Sequence, residues 1–431
     1  MADDRLLDEF AGRVLETGMA PAVAVALTDG ERTLATRRYG AASSESLWAI
    51  GSIGKSVTAV LALQLAEEGA IDLHAPVTDY VEWLAVPGDF APISLHHLLT
   101  HTSGLIANSD RAPASTYDVI ALTETAPGFA PGEHLHYSNV GYRAVGVVLE
   151  TVTGRSYGEL VQQRVLDRLG MRASVPVMVH ETRRRLPGGH VPPFDDRPWR
   201  REHGLAPGPW VESAEADGCL CCSLEDLAAY LRALWTGDDL LPAASASLMR
   251  TAHAESDDGE DRYGYGLDIH ADGFGHGGDM LGYVAHMRVD DEAGLGVVAF
   301  ANGFGGAWTL GEGALAIAAG AEPPAPDLAP GEPLSDDGSC PAAWSACLGR
   351  FRAHNPWLPT FAVAANEENL VMGTDWLDGS ERLPLAPVGT HAFRVGAPAW
   401  SPERLVFDTI VGDRAQRAVY SGTPYYRAFT A

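Results

Sequence analysis

Apolar residues recur at helical spacing from residue 4 to 17, where Leu6, Leu7, Phe10, Val14 and Leu15 share a face and predict an amphipathic helix. The next apolar run, Pro21 to Leu27, is followed by Asp29-Gly30 and a second run ending at Tyr39, which predicts a β-hairpin. A helix leading into antiparallel strands opens an α+β layer. From Ser52 to about Glu68, the residues Val57, Val60, Leu61, Leu63 and Leu65 leave almost no polar face. This helix is expected at the domain centre, closed by Gly69.

Further helical spacing covers 94–100, 141–153, 156–168 and 224–235, and the Pro- and Arg-rich stretch from Leu186 to Trp210 reads as a loop over a site. Strand-like runs follow near 263–270, 282–290 and 295–302. They are separated by turns expected at Gly275-His276-Gly277-Gly278 and at Asp291 to Gly294, and a helix near 307–320 packs back. The expected fold class is α+β: an antiparallel sheet assembled from both chain ends, flanked by helices, with a helical subdomain inserted between. Five prolines among residues 321–339 give that stretch the composition of a semi-rigid linker. It divides a first domain over 1–320 from a second over 340–431. There, alternating runs at Phe361 to Val371, His391 to Val395, Arg404 to Ile410 and Gln416 to Tyr420 predict a small all-β barrel ending at Tyr425-Tyr426.

Charge narrows the function. A formal net charge of −27 over 431 residues repels phosphate backbones and anionic headgroups, so neither nucleic acid nor membrane is an expected partner. The most apolar late stretch, Leu295 to Ala321, is broken by Asn302, glycines and Glu312 and predicts no membrane span. Met1 to Phe10 is acidic and lacks the features of a secretory signal, so a cytoplasmic location is expected. Of the five cysteines, Cys219, Cys221 and Cys222 form a run too compact for a zinc site, and with Cys340 and Cys347 they are expected to be free thiols. His97 and His101 are four apart, as two metal ligands on a helix would be, but no carboxylate intervenes and Thr102-Ser103-Gly104 ends the helix. His101 is therefore read as a turn-stabilising residue, and neither metal nor cofactor is expected.

Of the 30 basic residues, 29 are Arg and one, Lys55, is Lys. A guanidinium stays protonated in proteins, whereas a buried ammonium can be pushed to neutrality, so a position that needs a basic nitrogen near pH 7 cannot be filled by Arg. Ser52 lies three residues earlier on the same helical face, where a desolvated amine can take its proton and backbone N–H groups at the helix start can hold an oxyanion. Two further elements follow in order: Tyr137-Ser138-Asn139 before a helix, and Gly275-His276-Gly277-Gly278 beside a strand. Tyr can relay a proton, Asn can bind a carbonyl, and small residues let a substrate backbone approach. Singly, these residues also fit structural roles: Ser52 or Asn139 as helix caps, Tyr137 as a core aromatic, His276 as a turn residue, Asp279 and Glu133 as solvated or capping groups.

Ser52/Lys55, Tyr137/Asn139 and His276/Gly278 match the S-x-x-K, Y-x-N and K/H/W-x-G elements of the serine β-lactamase and penicillin-binding-protein-like superfamily, and the chain resembles its class C β-lactamase, D-aminopeptidase and family VIII esterase branch. Leu98 to Leu105 (LLTHTSGL) also looks like a frequent stretch of that branch. The likeness covers about residues 10–320, and the carboxy-terminal barrel resembles the lipocalin-like domains attached to such hydrolases. It implies Ser52 as the acylated nucleophile, Lys55 and Tyr137 as the proton-transfer pair and Asn139 as a substrate ligand. It implies an oxyanion hole from the N–H groups of Ser52 and Asp279, with Gly277 and Gly278 along the substrate. A His at 276, where true β-lactamases have Lys, looks more like the peptidase and amidase members. The implied function is a serine acyl-enzyme hydrolase of amides or esters in small peptides or D-amino-acid derivatives, acting on a small molecule or peptide and compatible with a homo-oligomer. A carboxylesterase, a peptide-cyclising thioesterase and a β-lactam sensor that acylates without turnover are the alternatives.

Overall fold

A computed structural model describes residues 4–428 apart from 44, 110–114, 214, 219, 238, 327–339, 357, 367–368 and 374–381. Eight strands form one antiparallel sheet in the spatial order Thr33–Gly40, Ala22–Thr28, Leu295–Ala301, Tyr283–Asp290, Gly273–Met280, Asp268–His270, Arg262–Tyr263, Ala254–Glu255. The strand Ala22–Thr28, second from one edge, is buried on both faces, which explains its unbroken apolar run. Its alternate residues serve two cores. Val23, Val25 and Leu27 meet the helices Asp4–Glu16 and Ala307–Ala318 on one side, and Ala22, Ala24 and Ala26 meet the large helical layer on the other. The helix Gly54–Glu67 lies within that second layer, with every residue from Gly54 to Leu65 buried. Among the described residues, no helix is long and apolar enough to cross a membrane.

The segment expected to turn at Gly275-His276-Gly277-Gly278 is instead the interior of the strand Gly273–Met280, paired in register with Tyr283–Asp290. Its glycines answer to close backbone approach rather than reversal. A Cβ on Gly275 would lie 2.6 Å from the Met287 carbonyl, and one on Gly278 only 1.9 Å from the Ile50 carbonyl. The reversal comes later, at Gly282, with φ +77°.

The carboxy-terminal strands close into an eight-stranded antiparallel barrel, from Gly349–Ala353 to Thr423–Arg427. The run at 361–371 read as one strand is two, Phe361–Asn366 and Asn369–Gly373, paired as a hairpin. Arg382–Gly389 escapes sequence patterning because Pro384 and Pro387 argue against a strand; the ladder accommodates them with a register shift between Pro387 and Gly389. The stretch assigned as linker lies outside the described residues from 327 onward. Cys221, Cys222, Cys340 and Cys347 are free, Cys340 half-buried and the others buried, while Cys219 is not among the described residues.

Candidate active site

Ser52 does not cap a helix. It sits in the single 3-10 turn Gly51–Ile53 that precedes Gly54–Glu67, and Lys55 follows in the first turn of that helix. Because the helix is enclosed all round, the Lys55 side chain is wholly buried. Its Nζ donates to the Asp217 carbonyl at 2.7 Å and lies 3.0 Å from Ser52 Oγ. The rings of Tyr137 and Tyr142 face it at 4.9 and 5.6 Å. Burial above all brings the amine down to about 7, with the Arg143 cation acting in the same sense and the Asp217 carboxylate opposing it. A neutral amine has one lone pair. With a proton committed to Asp217, that pair is available to the hydroxyl of Ser52.

Tyr137 lies half-buried beside this pair; burial and the carboxylates of Asp268 and Asp217 keep its phenol protonated well above the ordinary range, with the nearby Ser52 hydroxyl acting in the opposite sense. His101 fixes its position. The Nδ1 of His101 accepts from the Ser138 N–H at 3.0 Å, its carbonyl accepts from the His136 N–H at 2.8 Å, and its ring packs 4.1 Å from that of Tyr137. Burial holds His101 neutral, as accepting through Nδ1 requires, and its backbone takes φ +58°. His97 is tied to Ser94 in a helix-capping box, and no group of three or more His, Cys, Asp or Glu that could hold a metal exists among the described residues. Ser138, not Asn139, caps the helix Asn139–Thr153; Asn139 is its first residue, and its amide donates to Asn108 at 2.8 Å.

The strand Gly273–Met280 completes the cleft. Its pairing with Asp268–His270 stops at Gly275, leaving the edge beyond to face the Gly51–Ile53 turn. A Cβ on Gly51 would come within 2.5 Å of Asp279 N, and one on Gly278 within 3.2 Å of Ser52 N, so these backbones run in close contact beside Ser52. His276 is buried with both ring nitrogens engaged: Nδ1 contacts the Gly277 carbonyl at 2.5 Å and Nε2 the Tyr263 hydroxyl at 2.9 Å. A carbonyl only accepts, so the hydrogen is assigned to Nδ1 and Nε2 accepts from Tyr263. Gly277 and Asp279 are the exposed positions of the strand. The Asp279 carboxyl is open to solvent yet recessed among protein atoms, which raises it to about 7. Glu133 accepts from the Ala130 N–H in a turn.

Sequence reasoning missed the ion cluster behind Lys55. Arg143, on the same helix as Asn139, lies 2.7 Å from Glu215, 3.3 Å from Asp217 and 2.5 Å from Asp118. It anchors the loop whose Asp217 carbonyl receives the Lys55 amine. A signal was present, since a lone Arg on a helix with nine buried residues needs partners. Replacing Arg143 by Met is expected to destabilise the fold by about 3–5 kcal/mol, because it strands nearly buried carboxylates. Urea unfolding measures this; a loss under about 1 kcal/mol would show the cluster to be solvated and mechanically unimportant.

Residues 8–322 match the family model described as Beta-lactamase. The chain belongs to the β-lactamase family. Like the hydrolases of that family to which it is similar, it is an enzyme of the serine-hydrolase class. It is 27% identical over 340 residues to esterase EstB of Burkholderia gladioli, an alignment spanning 68% of this chain and 81% of the esterase. Among solved structures, a D-stereospecific amidohydrolase from Streptomyces sp. shares 25% identity at a TM-score of 0.58, covering 70% of this chain and 94% of that one. The octameric penicillin-binding protein homologue from Pyrococcus abyssi is 22% identical at a TM-score of 0.66, covering 99% of this chain and all 100% of that one. That last likeness extends the shared fold through the carboxy-terminal barrel.

Proposed function

We propose that the protein hydrolyses amide or ester bonds in small peptides or D-amino-acid derivatives through an acyl-enzyme on Ser52. The observation that carries this reading is the 3.0 Å separation of Ser52 Oγ from a buried amine brought down to about 7. Lys55 takes the Ser52 proton as the oxygen attacks the substrate carbonyl, and the N–H groups of Ser52 and Asp279 receive the oxyanion. Collapse expels the amine or alcohol, protonated from Lys55 through the Tyr137 hydroxyl. Water then attacks the acyl-enzyme by the same proton path in reverse. An amine in place of water gives acyl transfer. The similarity to an esterase and to a D-stereospecific amidohydrolase supports both leaving-group classes.

Charge selects among substrates. With His276 neutral and committed to the protein, the cleft offers Asp279 where a carboxylate-binding site would offer a cation. Neutral or cationic substrates should therefore be turned over at least about tenfold more efficiently, in kcat/KM, than penicillins of similar size. Side-by-side rates on a D-alanine p-nitroanilide, a p-nitrophenyl ester and a penicillin test this. Preference for the penicillin would overturn the substrate class while leaving Ser52 and Lys55 in place.

A further inference from the structure

Among the described residues, the barrel interior is filled unevenly. Phe351, Phe393 and Phe407 pack ring against ring inside it, with centroids 5.3 and 6.0 Å apart. Beside them, toward one rim, lies a cavity of about 270 Å³ walled by Phe361, which stacks on Phe351 at 5.6 Å, and by Met372, Leu383, Tyr420 and Tyr425. Phe361 and Leu383 begin their strands, Met372 and Tyr420 end theirs, and the strands are antiparallel, so all four belong to one rim of the barrel. An eight-stranded barrel has room for its own side chains or for one small ligand, and the described residues leave this part of the interior open.

That rim adjoins the catalytic cleft. Glu403, 6% exposed at the barrel mouth, accepts from the Ala107 N–H at 2.7 Å and contacts His136 Nε2 at 2.9 Å. The Ala107 carbonyl accepts from the Asn139 N–H at 2.8 Å. Ala107 and Asn108 also line the cavity, and Asn108 accepts from the Asn139 side chain. Asn139, two residues from Tyr137, thus ties the Ser52 side of the first domain to the barrel mouth through Ala107 and Asn108. His134 stacks on Trp400 at 4.6 Å and Trp400 Nε1 donates to Asp257 at 2.9 Å, fixing the mouth against the first domain.

We propose that the barrel mouth is a substrate subsite, taking an apolar group of roughly indole size carried by the ester or amide held at Ser52. The size follows from the volume, since a cavity of about 150 Å³ lined by apolar side chains takes benzene. The chemistry follows from the walls, which are mainly aromatic and aliphatic, with Asn108, Glu403, Ser421 and Thr423 as their polar members. The reading rests on the serine-hydrolase assignment for its kinetic consequence but not for binding itself.

Two measurements separate these. Titration with the fluorescent apolar probe N-phenyl-1-naphthylamine needs no catalysis: one saturable site is expected in the wild-type protein, weakened at least tenfold by Leu383→Trp, which fills the cavity. The second compares kcat/KM for acetyl and 3-phenylpropanoyl p-nitrophenyl esters, and for ethyl and 2-phenylethyl acetates. In the series whose varied group enters the barrel, the larger substrate should be favoured at least tenfold. Leu383→Trp should erase that ratio, and Leu383→Ala, which enlarges the cavity without overpacking it, should shift it toward the larger group. A ratio that neither variant moves, in either series, overturns the proposal, as does probe binding that survives Leu383→Trp in a folded protein. Ester turnover absent from every substrate while the probe still binds would count against the hydrolase reading alone.

Discussion

Replacing Lys55 by Met is expected to lower kcat/KM for a p-nitrophenyl ester by about 10³, the range that one positioned general base supplies. Met keeps the length and apolar fit of a side chain that has no access to solvent, but it has no lone pair basic enough to take the Ser52 proton. Lys55→Arg should fail equally, since a guanidinium cannot give up its charge. The pH profile makes the test sharper. The active form is the neutral amine, and burial places its titration near 7, so wild-type kcat/KM should fall as pH drops through about 7. Burial sets the value, with Arg143 lowering it further and the Asp217 and Asp268 carboxylates opposing. Tyr137, held protonated well above neutrality, should contribute no limb in that range. In Lys55→Met the residual rate should lose this acid limb. A variant within tenfold of wild type would remove Lys55 from the reaction, whereas a limb near 7 that survives in Lys55→Met belongs to the Asp279 carboxyl, itself raised to about 7.

The central architecture is legible in the sequence because a helix apolar on every side has only one place to go, and a strand reading Ala-Val-Ala-Val-Ala-Leu can alternate between two cores. The order of Ser52/Lys55, Tyr137/Asn139 and His276/Gly278 is likewise legible. Spacing alone did not reveal what each side chain is already bonded to. His276 looks free as a residue in a glycine run, yet Tyr263, thirteen positions earlier, takes its Nε2. The same glycines read as a turn because local patterning registers conformational freedom and not the Ile50 carbonyl that excludes a Cβ at Gly278. The Arg143 cluster joins residues 118, 143, 215 and 217, a set assembled only by the tertiary fold. Prolines hid one barrel strand, and no pattern within that strand announces that the barrel mouth meets Asn108.

Replacing Ser52 by Ala should cost on the order of 10⁵ in kcat/KM, since losing the nucleophile of a covalent mechanism leaves only binding and the oxyanion donors. The argument for this serine over its neighbours is geometric. Ser56 is fully buried, and its hydroxyl is taken by the Ile53 carbonyl at 2.7 Å and Tyr230 at 2.8 Å. Ser138 caps a helix and donates to the Ile106 carbonyl. Ser103 is 1% exposed. Ser52 alone of these four combines an opening to the cleft with an amine at 3.0 Å. Acid quenching during turnover of a p-nitrophenyl ester, followed by peptide mass spectrometry, should therefore place the acyl mass on the peptide containing Ser52, and Ser52→Ala should carry none. The two variants should also differ from each other: Lys55→Met retains a nucleophile and should still accumulate adduct slowly, whereas Ser52→Ala should not at any time. An adduct mapping to another serine, or more than about 1% of wild-type activity in Ser52→Ala, would mean that the hydroxyl nearest the buried amine is not the one that reacts.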